Sequence, residues 1–250
     1  MATWYANRSS IEGLALVLNR WQMDADTGPN YVFVHGLGVS SRYFEDLAAE
    51  LAPHGKIWLV DLAGYGSSPK PPRGRDVTID DHARVLGIVL DAAGITTPVL
   101  VGHSMGCQVV SKLAAQRPQL SDRLVLLSPT INPARRSRWM QFFDLLRDFW
   151  REPPRADAFG LYSYFFTGRV RYYLKQIPHM ISDPVEQRLA VIKTRTLVIN
   201  GERDPIVPQV WAEQVVRLLD HGRLEIVPGA HVIMYTAPSE IAALMRGFVA

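Results

Sequence analysis

The stretch that decides the fold is LVGHSMGCQV, Leu100–Val109. It opens as an apolar run of strand length, passes through Gly102-His103-Ser104-Met105-Gly106, and continues as residues that suit a helix. A serine fenced by two glycines between a buried strand and a helix is a specific combination. The turn is crowded, so its flanks must be small. It also lifts the Ser104 hydroxyl out of the fold and leaves the Met105 N–H at the head of a helix. A serine hydroxyl is a weak nucleophile. It needs a base within hydrogen-bond reach, a third group to orient that base, and backbone N–H donors for the oxyanion that forms.

Working outward, apolar runs alternate with helix-like stretches. Strands are predicted at TWYAN and LALVLNRW (a leading hairpin), YVFVHG (31–36), KIWLVDL (56–62), PVLVGHS, DRLVLLSP, TRTLVING and GRLEIVPG. Helical spacing is read in RYFEDLAAELAPH, in 78–94 with Thr78 as N-cap and Gly94 as stop, in MGCQVVSKLAAQ before Pro118, in PQVWAEQVVRLLD and in PSEIAALMRGFVA. Strands apolar on both faces, alternating with helices, imply an α/β architecture with a mostly parallel sheet covered on both sides. From 131 to 188 no strand is expected. The interval is rich in aromatics and arginine, with helical spacing at 138–150 and 158–176. It reads as a helical cap, with residues 1–130 and 189–250 as the core.

Asp204, in NGERDPIVP, and His231, in VPGAHVIMYTAP, each follow a predicted strand end, on the edge that also carries Ser104. Seven histidines compete for the role of base. His54 and His221 precede strands, and so lie at the wrong edge. His82 and His179 lie in helical stretches. His103 sits on the elbow and points elsewhere. His35 ends a strand and is the one rival, better suited to supporting its own loop by hydrogen bonding. That loop, HGLGVS (35–40), offers the Leu37 N–H as a second oxyanion donor beside that of Met105.

The segments HGLG, DLAGYGSS, GHSMG, GERDPIVP and GAHVIMYTAP, in that order over nearly the whole chain, resemble the α/β-hydrolase superfamily. The resemblance implies the α/β-hydrolase fold, with 131–188 as the variable cap inserted after the sixth strand. It implies Ser104 as nucleophile, His231 as base and then acid, Asp204 as orienter, and Leu37 and Met105 as oxyanion donors. Asp61, Gly64 and Gly66 are implied to be structural. Relatives with an aspartate nucleophile usually carry proline in the fourth position of the His-Gly motif. This chain has Ser104 on the elbow and Gly38 in the loop. Many relatives have a glycine where Cys107 stands, and Cys107 is read as a small packing residue.

The expected activity is hydrolysis of a carboxylic ester with an apolar acyl or aryl group, through an acyl-enzyme and without metal or organic cofactor. C–C bond hydrolysis, lactonase or lyase chemistry on the same three residues, and a ligand-binding receptor that keeps them, are the alternatives. Cap aromatics, among them Trp139, Phe142, Phe143, Phe165 and Phe166, are expected to bind the apolar group. The cap also carries more Lys/Arg than Asp/Glu, a solvated basic face or a hint of an anionic substrate.

Composition sets the outer bounds. The chain has 250 residues, 48% hydrophobic and 20% charged, with a formal net charge of +3. No dense Lys/Arg run points to nucleic acid. One cysteine excludes an internal disulfide. No apolar run is long enough for stable membrane insertion, and the first residues lack a signal-peptide pattern. A cytoplasmic protein with a small-molecule partner is expected; the oligomeric state is left open.

Overall fold

The computed structural model describes residues 4–11, 13–21, 25, 27–130 and 170–250. Eight strands form one sheet: β1 (Trp4–Ile11), β2 (Leu14–Trp21), β3 (Asn30–Val34), β4 (Lys56–Asp61), β5 (Val99–His103), β6 (Arg123–Leu127), β7 (Arg195–Gly201) and β8 (Gly222–Val227). Their spatial order is β1-β2-β4-β3-β5-β6-β7-β8. β1, β2 and β4 pair antiparallel, and every pairing from β4 through β3 to β8 is parallel. This is the mostly parallel α/β architecture expected from the alternating apolar runs, and the α/β-hydrolase fold that the resemblance implies.

The central strands carry continuous apolar runs, Tyr31–Val34, Val99–Val101, Leu124–Leu127 and Leu197–Ile199, because both faces are covered. Successive side chains point to opposite faces of a strand. Val32, Val34, Leu100, Leu124, Leu126 and Val198 join one core cluster. Tyr31, Phe33, Val99, Val101, Val125, Leu127, Leu197 and Ile199 join the other. The first is roofed by α2 (Ile79–Ala92), α3 (Met105–Gln116) and α6 (Gln209–Leu218), and the second by α1 (Glu45–Leu51) and α8 (Pro238–Val249). Thr78 caps α2 as read. Its hydroxyl accepts from the Asp81 N–H at 3.1 Å, and the Asp81 carboxylate accepts from the Thr78 N–H at 3.0 Å, a reciprocal capping box.

Two details differ from the pattern reading. A short helix α7 (Ile233–Thr236) follows His231 directly, where no element was expected. The expected helix at 158–176 is described only from residue 170, as α4 (Val170–Ser182), and it continues through Pro178. A proline removes one intrahelical hydrogen bond and disfavours the helical conformation before it, yet the helix runs past the expected end at 176 to Ser182. Tertiary contacts hold the last turn: the Met180 carbonyl accepts from the Gln108 side chain at 2.9 Å.

The described end of the 131–188 interval packs onto the core. After α4 comes α5 (Val185–Leu189). Tyr173, Met180, Val185 and Leu189 belong to the same apolar cluster as Val109 and Leu113 of α3. Buried Arg188 bonds both carboxylate oxygens of Asp183, at 2.8 and 2.6 Å, and donates from Nε to Ser111 at 3.1 Å. Residues 131–169, with Trp139, Phe142, Phe143, Phe165 and Phe166, lie outside the described residues.

Candidate active site

The site is built from turns that leave the carboxyl ends of the parallel strands, where ligands bind in open α/β sheets. Ser104 follows β5 with φ 54° and ψ −120°. A side-chain-bearing residue adopts that conformation only where its surroundings enforce it. Here they do. A Cβ on Gly102 would lie 2.6 Å from the Gly106 carbonyl, and one on Gly106 would collide with the Val34 carbonyl of β3. The Ser104 N–H is also tied to the Leu127 carbonyl at 3.1 Å. The strand-to-helix corner is therefore held by backbone contact from both sides, and Met105 begins α3.

Asp204 lies in the turn after β7. Its Oδ1 accepts from the N–H groups of Ile206 and Val207, each at 2.8 Å. Its Oδ2 faces Nδ1 of His231 at 2.9 Å. The carboxylate can only accept, so Nδ1 carries the proton and Nε2 is the acceptor end of the ring. Both loops are interlocked by backbone. Arg203 N–H donates to the Gly229 carbonyl at 3.0 Å, and a Cβ on Gly201 would collide with the Ala230 carbonyl. Ser104, Asp204 and His231 are 8%, 6% and 6% exposed, so all three are largely shielded from solvent.

His231 is brought beside the elbow by the residue preceding the serine. The His103 ring bonds the His231 backbone carbonyl through Nε2 at 3.0 Å, and the two imidazole centroids are 4.8 Å apart. The loop after β3 closes the third side. A Cβ on Gly36 would sit 3.0 Å from the Ser104 Cβ, which puts the Gly36 backbone against the serine. His35 is wholly buried and serves this loop, as expected. Its Nε2 accepts from the Leu62 N–H at 3.1 Å, so Nδ1 carries the proton and donates to the Gly36 carbonyl at 2.8 Å. That carbonyl belongs to the peptide whose N–H is that of Leu37, so its orientation sets where the Leu37 N–H points.

Burial lowers the proton affinity of both His35 and His103. For His103 the shift is large, and the neighbouring His231 adds to it. Both are neutral hydrogen-bonding groups. Asp61 accepts from the Ser41 and Ser67 N–H groups at 2.9 and 2.7 Å, and its carboxylate occupies the space a Cβ on Gly66 would need. Cys107 is buried, its thiol directed at the Gly102 and Leu127 carbonyls, and burial pushes its proton affinity up. Among the described residues no cluster of three His, Cys, Asp or Glu side chains could hold a metal ion. No described helix is long and apolar enough to cross a membrane.

The structure thus gathers Ser104, Met105, Asp204, His231 and the Leu37 loop at one edge. Two residues there had no sequence signal of their own: Tyr43, whose hydroxyl bonds the His103 ring, and His103 in its bridging position.

Comparison with known proteins agrees with this architecture. The pattern of the alpha/beta hydrolase family matches residues 31–244, and the chain belongs to that family. A pyrrolizixenacetamide deacetylase from Xenorhabdus hominickii is 27% identical over 246 residues, covering 89% of this chain and 91% of that protein. More identical matches are shorter. A haloalkane dehalogenase from Mesorhizobium japonicum is 39% identical over 93 residues, 37% of this chain and 29% of that protein. The chain spans about a third of the length of the first curated relatives it matches. A solved structure of a hydrolase from Pseudomonas aeruginosa superposes with a TM-score of 0.83 at 20% identity, covering 98% of both chains.

Proposed function

We propose that the protein is a serine hydrolase that cleaves a carboxylic ester with an apolar acyl or aryl group through an acyl-enzyme. The observation that carries this reading is the 2.9 Å contact between His231 Nδ1 and Asp204 Oδ2, beside a serine held at positive φ at the head of a helix. Asp204 keeps the His231 proton on Nδ1, so Nε2 is the base. Nε2 takes the proton as Ser104 Oγ attacks the substrate carbonyl carbon. The oxyanion is held by the N–H groups of Leu37 and Met105. His231 then gives its proton to the leaving oxygen, and the ester C–O bond breaks. Water, deprotonated by the same nitrogen, attacks the acyl-enzyme; the tetrahedral intermediate collapses and Ser104 recovers its proton.

The chemistry needs no metal or organic cofactor. Residues 131–188 form the cap in this reading, and Trp139, Phe142, Phe143, Phe165 and Phe166 supply its apolar surface. The full-length similarity to a deacetylase supports acyl transfer, and it extends the candidate substrates to short acyl groups. Aspartate-nucleophile chemistry is not proposed, because the elbow residue is Ser104.

The test is turnover of p-nitrophenyl esters of graded chain length by the intact protein and by Ser104→Ala. Turnover is expected to fall by about 10⁴-fold or more in the variant. Hydrolysis that survives the substitution, or none by the intact protein, overturns the reading.

A further inference from the structure

We propose that Tyr43 and His103 are positioning residues that couple the oxyanion loop to the base, through one directed chain of hydrogen bonds running from Gly36 to the backbone of His231. The proposal rests on the serine-hydrolase reading. It deepens that reading by naming what holds the two halves of the site in register.

The direction of every bond in the chain follows from the groups themselves. The His231 carbonyl can only accept, so His103 Nε2, 3.0 Å away, must carry the proton. A neutral imidazole then presents Nδ1 as an acceptor. The Tyr43 hydroxyl, 2.7 Å from Nδ1, must donate to it. The Tyr43 oxygen in turn accepts from the Gly36 N–H at 3.0 Å. The chain is therefore Gly36 N–H to Tyr43 Oη–H to His103 Nδ1, and His103 Nε2–H to the His231 carbonyl.

All members are buried. Tyr43 is 3% exposed, His103 3% and His231 6%. Burial raises the proton affinity of the Tyr43 hydroxyl and lowers that of the His103 ring, which keeps both in the states the chain requires. An unpaired member would carry a full desolvation cost, so the chain persists as a unit.

Its consequence is geometric. Gly36 precedes the Leu37 peptide and lies against Ser104, His103 precedes Ser104, and His231 is the base. Three loops from β3, β5 and β8 meet at one imidazole. Loss of the chain lets the base loop and the oxyanion loop drift independently, and small displacements of reacting groups are costly to rate. His103 holds a donor and an acceptor in fixed order. A glutamine amide offers the same order, its oxygen accepting from Tyr43 and its nitrogen donating to the carbonyl.

The experiment compares Tyr43→Phe, His103→Leu, His103→Gln and the double variant Tyr43→Phe/His103→Leu. Readouts are kcat and KM on p-nitrophenyl acetate, the thermal midpoint, and the imidazole nitrogen spectrum of the full chain carrying isotope-labelled histidine. Expected are kcat losses of about tenfold for Tyr43→Phe and about a hundredfold for His103→Leu, with KM within about twofold. The double variant is no worse than His103→Leu, and His103→Gln recovers most of the loss. The spectrum shows His103 protonated at Nε2, and the His231 ring signals move in Tyr43→Phe. Unchanged kcat in His103→Leu, additive losses, or a loss that merely tracks a fallen thermal midpoint overturns the proposal. If the wild-type protein turns over no ester, the hydrolase reading fails by itself. The coupling then stands or falls on whether Tyr43→Phe moves the His231 signals.

Discussion

Helix α3 meets two different environments at its ends. Toward its amino end Gly106 lies against the backbone of β3, and Gln108, with Ser111 at mid-helix, bonds the buried pair formed by Asp183 and Arg188. Just past its carboxyl end, Arg117 makes an equally well-formed fork to Asp91, 2.8 Å at each oxygen, in solvent. The hydrogen bonds are alike; the dielectric and the free space are not. At the amino end no group can move without stranding a buried partner. At the far end water can replace any partner lost. Geometry alone does not rank these interactions. Ser104 is attached to the buried end.

Four measurements would break or sharpen this contrast. The largest effect is expected for Gly106→Ala, whose methyl group would overlap the Val34 carbonyl. A loss of about 4 kcal/mol in urea unfolding is predicted, and a wild-type midpoint would mean that the elbow is looser than described. Arg188→Leu leaves Asp183 buried with its ion-pair partner gone, and about 3–4 kcal/mol should be lost.

Acidification comes next. Burial holds His82 down to about 4, against 6.5 for the free side chain. The folded state therefore favours neutral His82. Its contribution is complete above pH 6.5 and is lost as the pH falls from 6.5 to about 4, by about 3 kcal/mol. His35 and His103 act in the same direction. Denaturation midpoints measured at pH 7.5 and 4.5 should diverge accordingly, and His82→Gln should reduce the slope. A flat profile in the wild type would contradict a neutral interior. The smallest effect belongs to Arg117→Ala, below about 1 kcal/mol and shrinking with added salt. A salt-insensitive loss as large as that of Arg188→Leu would erase the distinction between the two ends.

How far the sequence could be read follows the same division. The strands of the parallel sheet were legible because burial on both faces leaves continuous apolar runs, as in YVFVHG and PVLVGHS. The elbow was legible because its crowding demands glycine at 102 and 106. Asp204 and His231 stood out by their place after strand ends. Other features were not legible. Helix α4 passes Pro178 because partners on α3 hold its last turn. Tyr43 reads as an ordinary aromatic after a loop, and nothing local to it predicts a bond to a histidine 60 positions away.

By itself, the sequence determined the α/β architecture, the order Ser104, Asp204, His231, and the tight turn under the serine. These depend on hydrophobic period and on backbone sterics, which act over a few residues. Only the tertiary structure decided which nitrogen of His35, His103 and His231 carries its proton, that His103 bridges to the His231 carbonyl across 128 positions, and that residues near 180–189 are bound into the core. A hydrogen bond is directional and short-ranged in space but indifferent to separation along the chain, so its partner is chosen by the fold.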